Sequence, residues 1–230
     1  MKVSIIIPVF NEQETVVPII NQVLQCSLPL DKEVIVINDC STDLTLERIK
    51  SINNPGIVLI DQGKNMGKGA AVRAGIERAT GDYILIQDAD FEYSPNDYPA
   101  MLKPLIDGDA DAVYGTRLKP GEGSHRVMFF RHYLTNKCLT LLSNIFTNLN
   151  LTDMEVGLKA FMSDIIKRIP LKENRFGIEP EITAKIAKLK YRIYEVPISY
   201  YGRTHKEGKK IRWEDGISAL RCIIQYSLFK

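Results

Sequence analysis

The chain of 230 residues predicts an α/β fold, a mostly parallel twisted sheet with crossover helices on both faces. Three observations carry that expectation. Strand-length apolar runs alternate with helical-period segments from residue 3 to Asp88. The runs Val3–Val9, Glu33–Ile37 and Tyr83–Ile86 are nearly continuous in apolar residues, as strands covered on both faces are. Each ends in a polar cluster, and in such sheets ligands bind beyond the carboxyl ends of the strands. Pro8–Glu12, Asn38–Asp43 and Asp88–Glu92 would then share one rim.

Taken in order, Val3–Val9 is a buried strand with Pro8 suiting its end. A helix opens at Asn11-Glu12, with Val16, Val17, Ile19, Ile20, Val23 and Leu24 on the helical period. The second strand runs into Asn38-Asp39-Cys40-Ser41-Thr42-Asp43, residues that cap helices and turn chains, and a helix over 44–52 follows. Ile57–Ile60 is a third strand and Ala70–Ala79 a helix closed by Gly81. Residues 95–107 read as a helix broken at Pro99 and Pro104, and Asp111–Gly115 as a strand ending at Thr116-Arg117.

The segment from Ser124 to Asn148 holds Phe129, Phe130, Tyr133, Leu134, Leu139, Leu141, Leu142, Ile145 and Phe146, interrupted by Arg131 and Lys137. It is either an amphipathic helix lying on a membrane surface or an ordinary core helix. Beyond it come a strand over 157–162, a helix over 180–188, and an edge strand over 192–200 with Pro197 in it. The last helix, from Trp213 to Lys230, places Ile217, Leu220, Ile224 and Leu228 at helical spacing, broadened by Ile223 and Phe229. With no repeat or linker, residues 1–230 form one domain with a C-terminal amphipathic extension.

Composition narrows the function classes. Thirty Lys and Arg against 28 Asp and Glu leave a net charge of +2, so no global field argues for a nucleic-acid partner. Cys26, Cys40, Cys138 and Cys222 contain no Cys-x-x-Cys pair, which fits reduced, buried thiols. The strand pattern begins at residue 3 with no signal-peptide regions, and no apolar run reaches about 18 residues. A cytoplasmic protein, soluble or peripheral on the cytoplasmic membrane face, is expected.

Asp88 and Asp90 stand at a strand end, on one face of an extended chain, with Ala89 turned to the core. Such a pair suits Mg²⁺ or Mn²⁺ completed by substrate phosphate and water; equally, it suits a solvated turn. Gly67-Lys68-Gly69 fails the dinucleotide fingerprint, because Val72 stands where the third glycine would be. It fails the P-loop spacing as well, leaving either an anion-binding helix start or close packing. His125, His132 and His205 show no zinc spacing, and no Gly-x-Ser-x-Gly turn exists. The run from Arg203 to Arg212, five Lys/Arg against one Glu, is either a solvated loop or a cationic cover over a phosphate-bearing substrate.

Together Pro8-Val9-Phe10-Asn11-Glu12, Asn38–Asp43, Asn65-x-Gly67-Lys68-Gly69, Gln87-Asp88-Ala89-Asp90, Gly115-Thr116-Arg117 and Asp153-x-x-x-Gly157 resemble family 2 glycosyltransferases, closest to the dolichol-phosphate mannose or glucose synthase branch. The resemblance implies a GT-A fold and a nucleoside-diphosphate sugar donor, GDP-mannose or UDP-glucose in type. It implies that residues 1–120 form the nucleotide-sugar half and 121–230 the acceptor half. Pro8, Phe10, Glu12, Asn38, Asp39 and Lys68 would line the nucleotide site. Asp88 and Asp90 would hold the metal, with Glu92 as third ligand. Arg117, Arg131 and Arg203 would grip an acceptor phosphate. Asn38 departs from the family's usual Asp, and Cys40 from its usual Gly. Many relatives continue into transmembrane helices, so a membrane-protein partner would supply such an anchor here.

The expected chemistry is inverting displacement at the anomeric carbon, with the metal as Lewis acid on the leaving diphosphate. A saccharide hydroxyl acceptor needs a carboxylate base, for which Asp153 is the candidate. A polyprenyl or dolichyl phosphate at the membrane is already anionic and needs cations instead. Two other classes remain. A nucleotidyltransferase would show a Gly-rich basic loop where this chain has Pro8–Glu12, and an inactive sugar-nucleotide binder would not need both Asp88 and Asp90.

Overall fold

The computed structural model describes residues 1–118, 126–203 and 213–229. Among them, seven strands form a single sheet: β1 (Lys2–Val9), β2 (Asp31–Asn38), β3 (Ile57–Asp61), β4 (Tyr83–Ile86), β5 (Ala112–Thr116), β6 (Lys159–Met162) and β7 (Ile193–Pro197). Their order is β3-β2-β1-β4-β6-β5-β7. All neighbouring pairs are parallel except those of β6, which runs antiparallel between β4 and β5. The sheet is therefore mostly parallel, and β7 is the edge strand that Pro197 called for.

The described residues also form eight α-helices: α1 (Val16–Gln25), α2 (Thr45–Lys50), α3 (Lys68–Arg78), α4 (Tyr98–Ile106), α5 (Phe130–Thr147), α6 (Ser163–Arg168), α7 (Ile178–Lys188) and α8 (Trp213–Ile224), the last running into a π-helical turn (Gln225–Phe229). The central strands β1, β2, β4 and β5 bury side chains of both parities, which is why their sequences read as runs rather than alternations. α3 packs so closely on β1 and β2 that a side chain at Gly75 would strike Ile6.

Two local expectations need correction. Residues 95–106 are not broken at either proline. A 3-10 turn (Pro95–Asp97), capped by Ser94, leads into α4, where Pro99 occupies the first turn and needs no donor. Pro104 sits late in the same helix, and its carbonyl accepts from the amides of Asp109 and Ala110 beyond the end. The second correction concerns the acid pair. β4 stops at Ile86, so strand alternation does not orient Asp88 and Asp90; a turn does, closed by Phe91 at φ 61°.

Glu33 joins three elements near the amino ends of the strands. It accepts from Lys2 Nζ at 2.7 Å, from Ser4 Oγ and from the amide of Thr80 at 2.7 Å. Burial would raise its pKa, but these donors outweigh burial and bring it down to about 2. Because the folded value lies below the ordinary 4.5, the stabilisation is present above pH 4.5 and is lost as the pH falls through about 2. Glu33→Gln is expected to lower stability at pH 7 by about 1–2 kcal/mol after screening is allowed for, with most of the difference from the parent gone at pH 2. Urea titrations at the two pH values measure this.

Candidate active site

The carboxyl ends of β1, β2 and β4 open into a cavity of about 930 Å³. Pro8, Phe10, Glu12 and Asp39 line one side, Asp88, Asp90 and Glu92 the floor, and Arg117, Glu155 and Glu179 the other side. The three polar clusters of the strand ends thus meet at one rim. The size falls within the range of small-molecule sites.

Asp39 is buried, and its two oxygens accept from the amides of Met66 and Gly67, each at 2.7 Å. It thereby shapes the loop entering α3. The glycines of that loop serve packing: a side chain at Gly67 or Gly69 would strike the backbone of Glu173 to Arg175. The amide of Ala70 donates to the Asn174 carbonyl at 3.1 Å, so this helix start is occupied by the chain itself.

Lys68 reaches the floor. Its ammonium lies 2.8 Å from Asp88 Oδ1 and 3.3 Å from Glu179 Oε1. Glu179 also pairs with Lys159, which is fully buried and further held by the carbonyls of Met154 and Val156. Burial alone would lower the pKa of Lys68; Asp88 and Glu179 outweigh it and raise it well above its ordinary value. A side chain at Gly157 would collide with the Asp88 carboxylate, so the Asp153-x-x-x-Gly157 motif has glycine where this loop presses on the floor.

Asp90 experiences the opposite balance. Burial, then the like charges of Asp88 and Glu92, push it up to about 7 despite Arg203. Arg203 spans the floor, with Nη2 2.9 Å from Glu12 and 3.1 Å from Asp90, while its Nε is buried without a partner. Glu92 accepts from the Arg203 amide at 2.8 Å and from the Tyr200 hydroxyl at 3.4 Å. It positions the segment after β7. Among the described residues no group of three or more His, Cys, Asp or Glu forms a metal cage. Two crowded carboxylates facing a cavity do fit a hard cation completed by a diphosphate and water, and its charge would relieve their repulsion.

Three expected site residues stand elsewhere. Asp153 is fully buried and gripped by Arg117, with contacts of 2.6 Å from Nε and 2.7 Å from Nη2. Burial would raise its pKa, but Arg117 prevails and lowers it, so Asp153 is a structural counter-ion rather than a base open to substrate. Asn38 is buried beneath the rim, donating to Asp61 at 2.7 Å and accepting from the Ser41 amide. It does not line the cavity. Arg131 is exposed on α5, and its neighbour His132 lines the cavity instead. Arg117 does line it, although Asp153 and the face of Tyr200, 5.3 Å away, hold its guanidinium. Lys206, Lys209, Lys210, Arg212, His125 and His205 lie outside the described residues.

Glu155, Glu179 and Arg175, none of them expected from the sequence, also line the cavity. Glu155 lies inside the Asp153-x-x-x-Gly157 motif, whereas no motif marks Glu179 or Arg175. Of the two arrangements expected for residues 124–148, α5 takes the amphipathic one, with its apolar residues outward. Asn136, Thr140 and Ser143 are its buried residues, while Phe130, Leu134, Leu141 and Ile145 are exposed. Hydrogen bonds explain this orientation: Thr140 accepts from the amide of Met154, and Asn144 exchanges two bonds with the backbone of Leu151. The stripe of α8 behaves alike. Ile217, Leu220, Ile224 and Leu228 face outward, and Ala219, Cys222, Ile223 and Tyr226 face the protein.

Residues 4–169 match the model of glycosyl transferase family 2. The chain belongs to that family. It is 29% identical over 214 residues to a dodecaprenyl-phosphate galacturonate synthase of Rhizobium johnstonii, covering 91% of this chain and 62% of that protein. A dolichol-phosphate mannosyltransferase of Pyrococcus furiosus is 26% identical over 212 residues, with 91% and 59% covered. The chain thus spans about three fifths of the length of these two relatives. An undecaprenyl-phosphate mannosyltransferase of Micrococcus luteus is 30% identical over 218 residues, covering 91% of this chain and 87% of that protein. Glucosyl-3-phosphoglycerate synthase from Mycobacterium tuberculosis, solved with Mn²⁺, UDP and glucosyl-3-phosphoglycerate, superposes with a TM-score of 0.76 at 18% identity, covering 98% of this chain and 80% of that one. The GT-A fold expected for the family is present.

Lys159→Met would leave Glu179 buried beside Glu155 with Lys68 as its remaining cation. The loss expected is about 3–5 kcal/mol of stability, read from urea denaturation against the parent.

Proposed function

We propose that this chain transfers a hexose from a nucleoside-diphosphate sugar to a polyprenyl phosphate at a membrane surface, inverting the anomeric carbon, with Mg²⁺ or Mn²⁺ held by Asp88 and Asp90. The observation that carries the lipid half of this reading is α5, whose polar side meets the cavity while its apolar side faces outward. His132, Thr135 and Asn136 line the cavity, and Phe130 and Ile145 stand 73% and 64% exposed on the same helix. The outward face of α8 packs beside it and extends the apolar surface through Leu228 and Phe229. No described helix is long and apolar enough to cross a membrane. An acceptor with a phosphate head and a hydrocarbon tail suits a charged cavity next to such a surface. The three relatives are named for polyprenyl-phosphate sugar transfer, which supports the same reading.

In this reading an oxygen of the acceptor phosphate forms the new bond to C1 of the hexose, and the C1–O bond to the diphosphate breaks, its electron pair leaving with the nucleoside diphosphate. The bound cation would supply charge neutralisation to that leaving group. Lys68 and Arg203 hold positive charge at the floor, and Arg117 and Arg175, which also line the cavity, would receive the acceptor phosphate. A phosphomonoester, with a second pKa of about 6, needs no base, and Asp153 is closed to that role. A second reading, a saccharide hydroxyl acceptor, is favoured by Glu155, whose Oε1 is buried without a partner and would be the available base. A nucleotidyltransferase is not supported by family membership.

The test is label transfer from UDP-glucose and GDP-mannose to undecaprenyl phosphate with Mn²⁺, followed by extraction into organic solvent. Radioactivity in the lipid phase is expected; label found only in a soluble saccharide acceptor would replace the reading. Mn²⁺ with UDP or GDP is expected to raise the melting temperature of the parent and not of Asp90→Asn, which relieves like-charge repulsion and so melts no lower than the parent without metal. Replacing Phe130, Leu141 and Ile145 together by Ser is expected to abolish flotation with anionic vesicles while leaving UDP or GDP binding intact. Arg131→Ala, outside the cavity, is expected to retain transfer within about threefold.

A further inference from the structure

Glu155 is a charge that the protein leaves unanswered. Its Oε1 is enclosed, yet no hydrogen-bond donor reaches it, although the side chain lines the cavity. The nearby charged groups are already committed. Asp153 is taken by Arg117, and Glu179 by Lys159 and Lys68. Burial, with Glu179 adding like charge, pushes Glu155 up to about 7, while Lys159 and Arg117 oppose this. Leaving a buried acceptor without a donor carries a desolvation penalty, which a rotation of this cavity-lining side chain towards a donor bound there would remove.

The occupant must donate and must not bring negative charge. A diphosphate or an acceptor phosphate fails on both counts, and Arg203, Lys68 and Arg175 are better placed for those groups. The hydroxyls of a hexose satisfy both. The loop holding Glu155 also presses on the metal-side carboxylate through Gly157, whose amide donates to Tyr93 Oη at 3.1 Å. The sugar attached to a diphosphate held at Asp88 would therefore lie alongside this loop.

We infer that Glu155 is the sugar-recognition residue of the site, accepting a hydroxyl of a neutral donor hexose and rejecting a uronate through like charge. This rests on the proposed transfer from a nucleoside-diphosphate sugar and adds the class of sugar. A carboxylate that accepts from a hydroxyl stays ionised, and a second carboxylate on the sugar would stand unpaired beside it in a space screened from water. A site built around a hydrogen bond to a substrate hydroxyl discriminates by leaving its own group unpaired when the partner is absent.

The experiment compares the parent, Glu155→Gln and Glu155→Ala at pH 8, where the carboxylate is ionised. It measures Mn²⁺-dependent binding of UDP, UDP-glucose, UDP-galactose, GDP-mannose, UDP-glucuronate and UDP-galacturonate by calorimetry, and then turnover with undecaprenyl phosphate. The parent is expected to bind at least one neutral hexose donor about tenfold or more tighter than its uronate counterpart. In Glu155→Gln that preference should shrink to within about threefold, with affinity for UDP unchanged and the melting temperature equal to or above that of the parent. A parent preferring uronate donors, or a Gln variant keeping the full preference, overturns the inference. So does a Gln variant that loses turnover while keeping selectivity in binding, which would make Glu155 a base. A clear drop in melting temperature for both variants would show a structural carboxylate and overturn it too. If the parent binds the hexose donors with this selectivity but transfers nothing to the lipid, the acceptor reading fails and the sugar assignment stands.

Discussion

The buried chain of charges Lys159, Glu179, Lys68, Asp88 is the constraint around which the site is built. Lys159 is on β6, Glu179 on α7, Lys68 at the start of α3, and Asp88 just past β4. Four separate elements therefore converge through three ion pairs. The two inner members, Glu179 and Lys68, each hold two partners, so displacing Glu179 would leave the fully buried Lys159 without its counter-charge, a penalty that exceeds what one pair contributes. Asp88 is thus held by Lys68 at a fixed place, whereas Asp90, two residues on, feels more repulsion from Asp88 and Glu92 than Arg203 offsets. One carboxylate is anchored and the other would gain from a bound cation, a division of roles that suits the proposed metal–diphosphate site.

The antiparallel strand β6 makes that convergence possible. Inserted between β4 and β5, it carries Lys159 into the middle of the sheet and brings the loop 153–157 across the cavity wall. Gly157 lets this loop lie against Asp88. Asp153 at its start is locked by Arg117, whose guanidinium stacks on Tyr200, and Tyr200 in turn packs against Tyr93 at 5.9 Å. Rigid on either side, the loop presents Glu155 in between. The side chain aimed at the cavity is flanked by ones the fold has immobilised, the arrangement that selective recognition requires.

Much of this was legible in the sequence, and the reason is local chemistry. The buried strands announced themselves as apolar runs, and the polar clusters at their ends gave the rim because parallel topology sends those ends the same way. Asp88 and Asp90 were recognisable as a pair by spacing alone, although a turn and not strand alternation brings them together. What stayed hidden depends on contacts distant in sequence. Asp153 looked like an available acid because nothing near it in the chain reveals Arg117, 36 residues earlier, as its partner. Glu155 and Glu179 carry no local signal for the same reason.

The orientation of α5 shows what apolar periodicity alone leaves open. Its polar residues Asn136, Thr140 and Ser143 also recur at helical spacing, and it is these that face the protein. A helix with two competing stripes is oriented by whichever makes the specific contacts, and here the backbone of the loop 151–154 supplies donors and acceptors that only the polar stripe can meet. The apolar stripe is then exposed as a consequence. The same loop that is tied to the inner side of α5 continues into Glu155 and Gly157 at the cavity wall. An apolar surface and a charged cavity are therefore mechanically joined through about a dozen residues of one helix and one loop. For an acceptor that is hydrocarbon at one end and phosphate at the other, that junction is where both ends could be held at once.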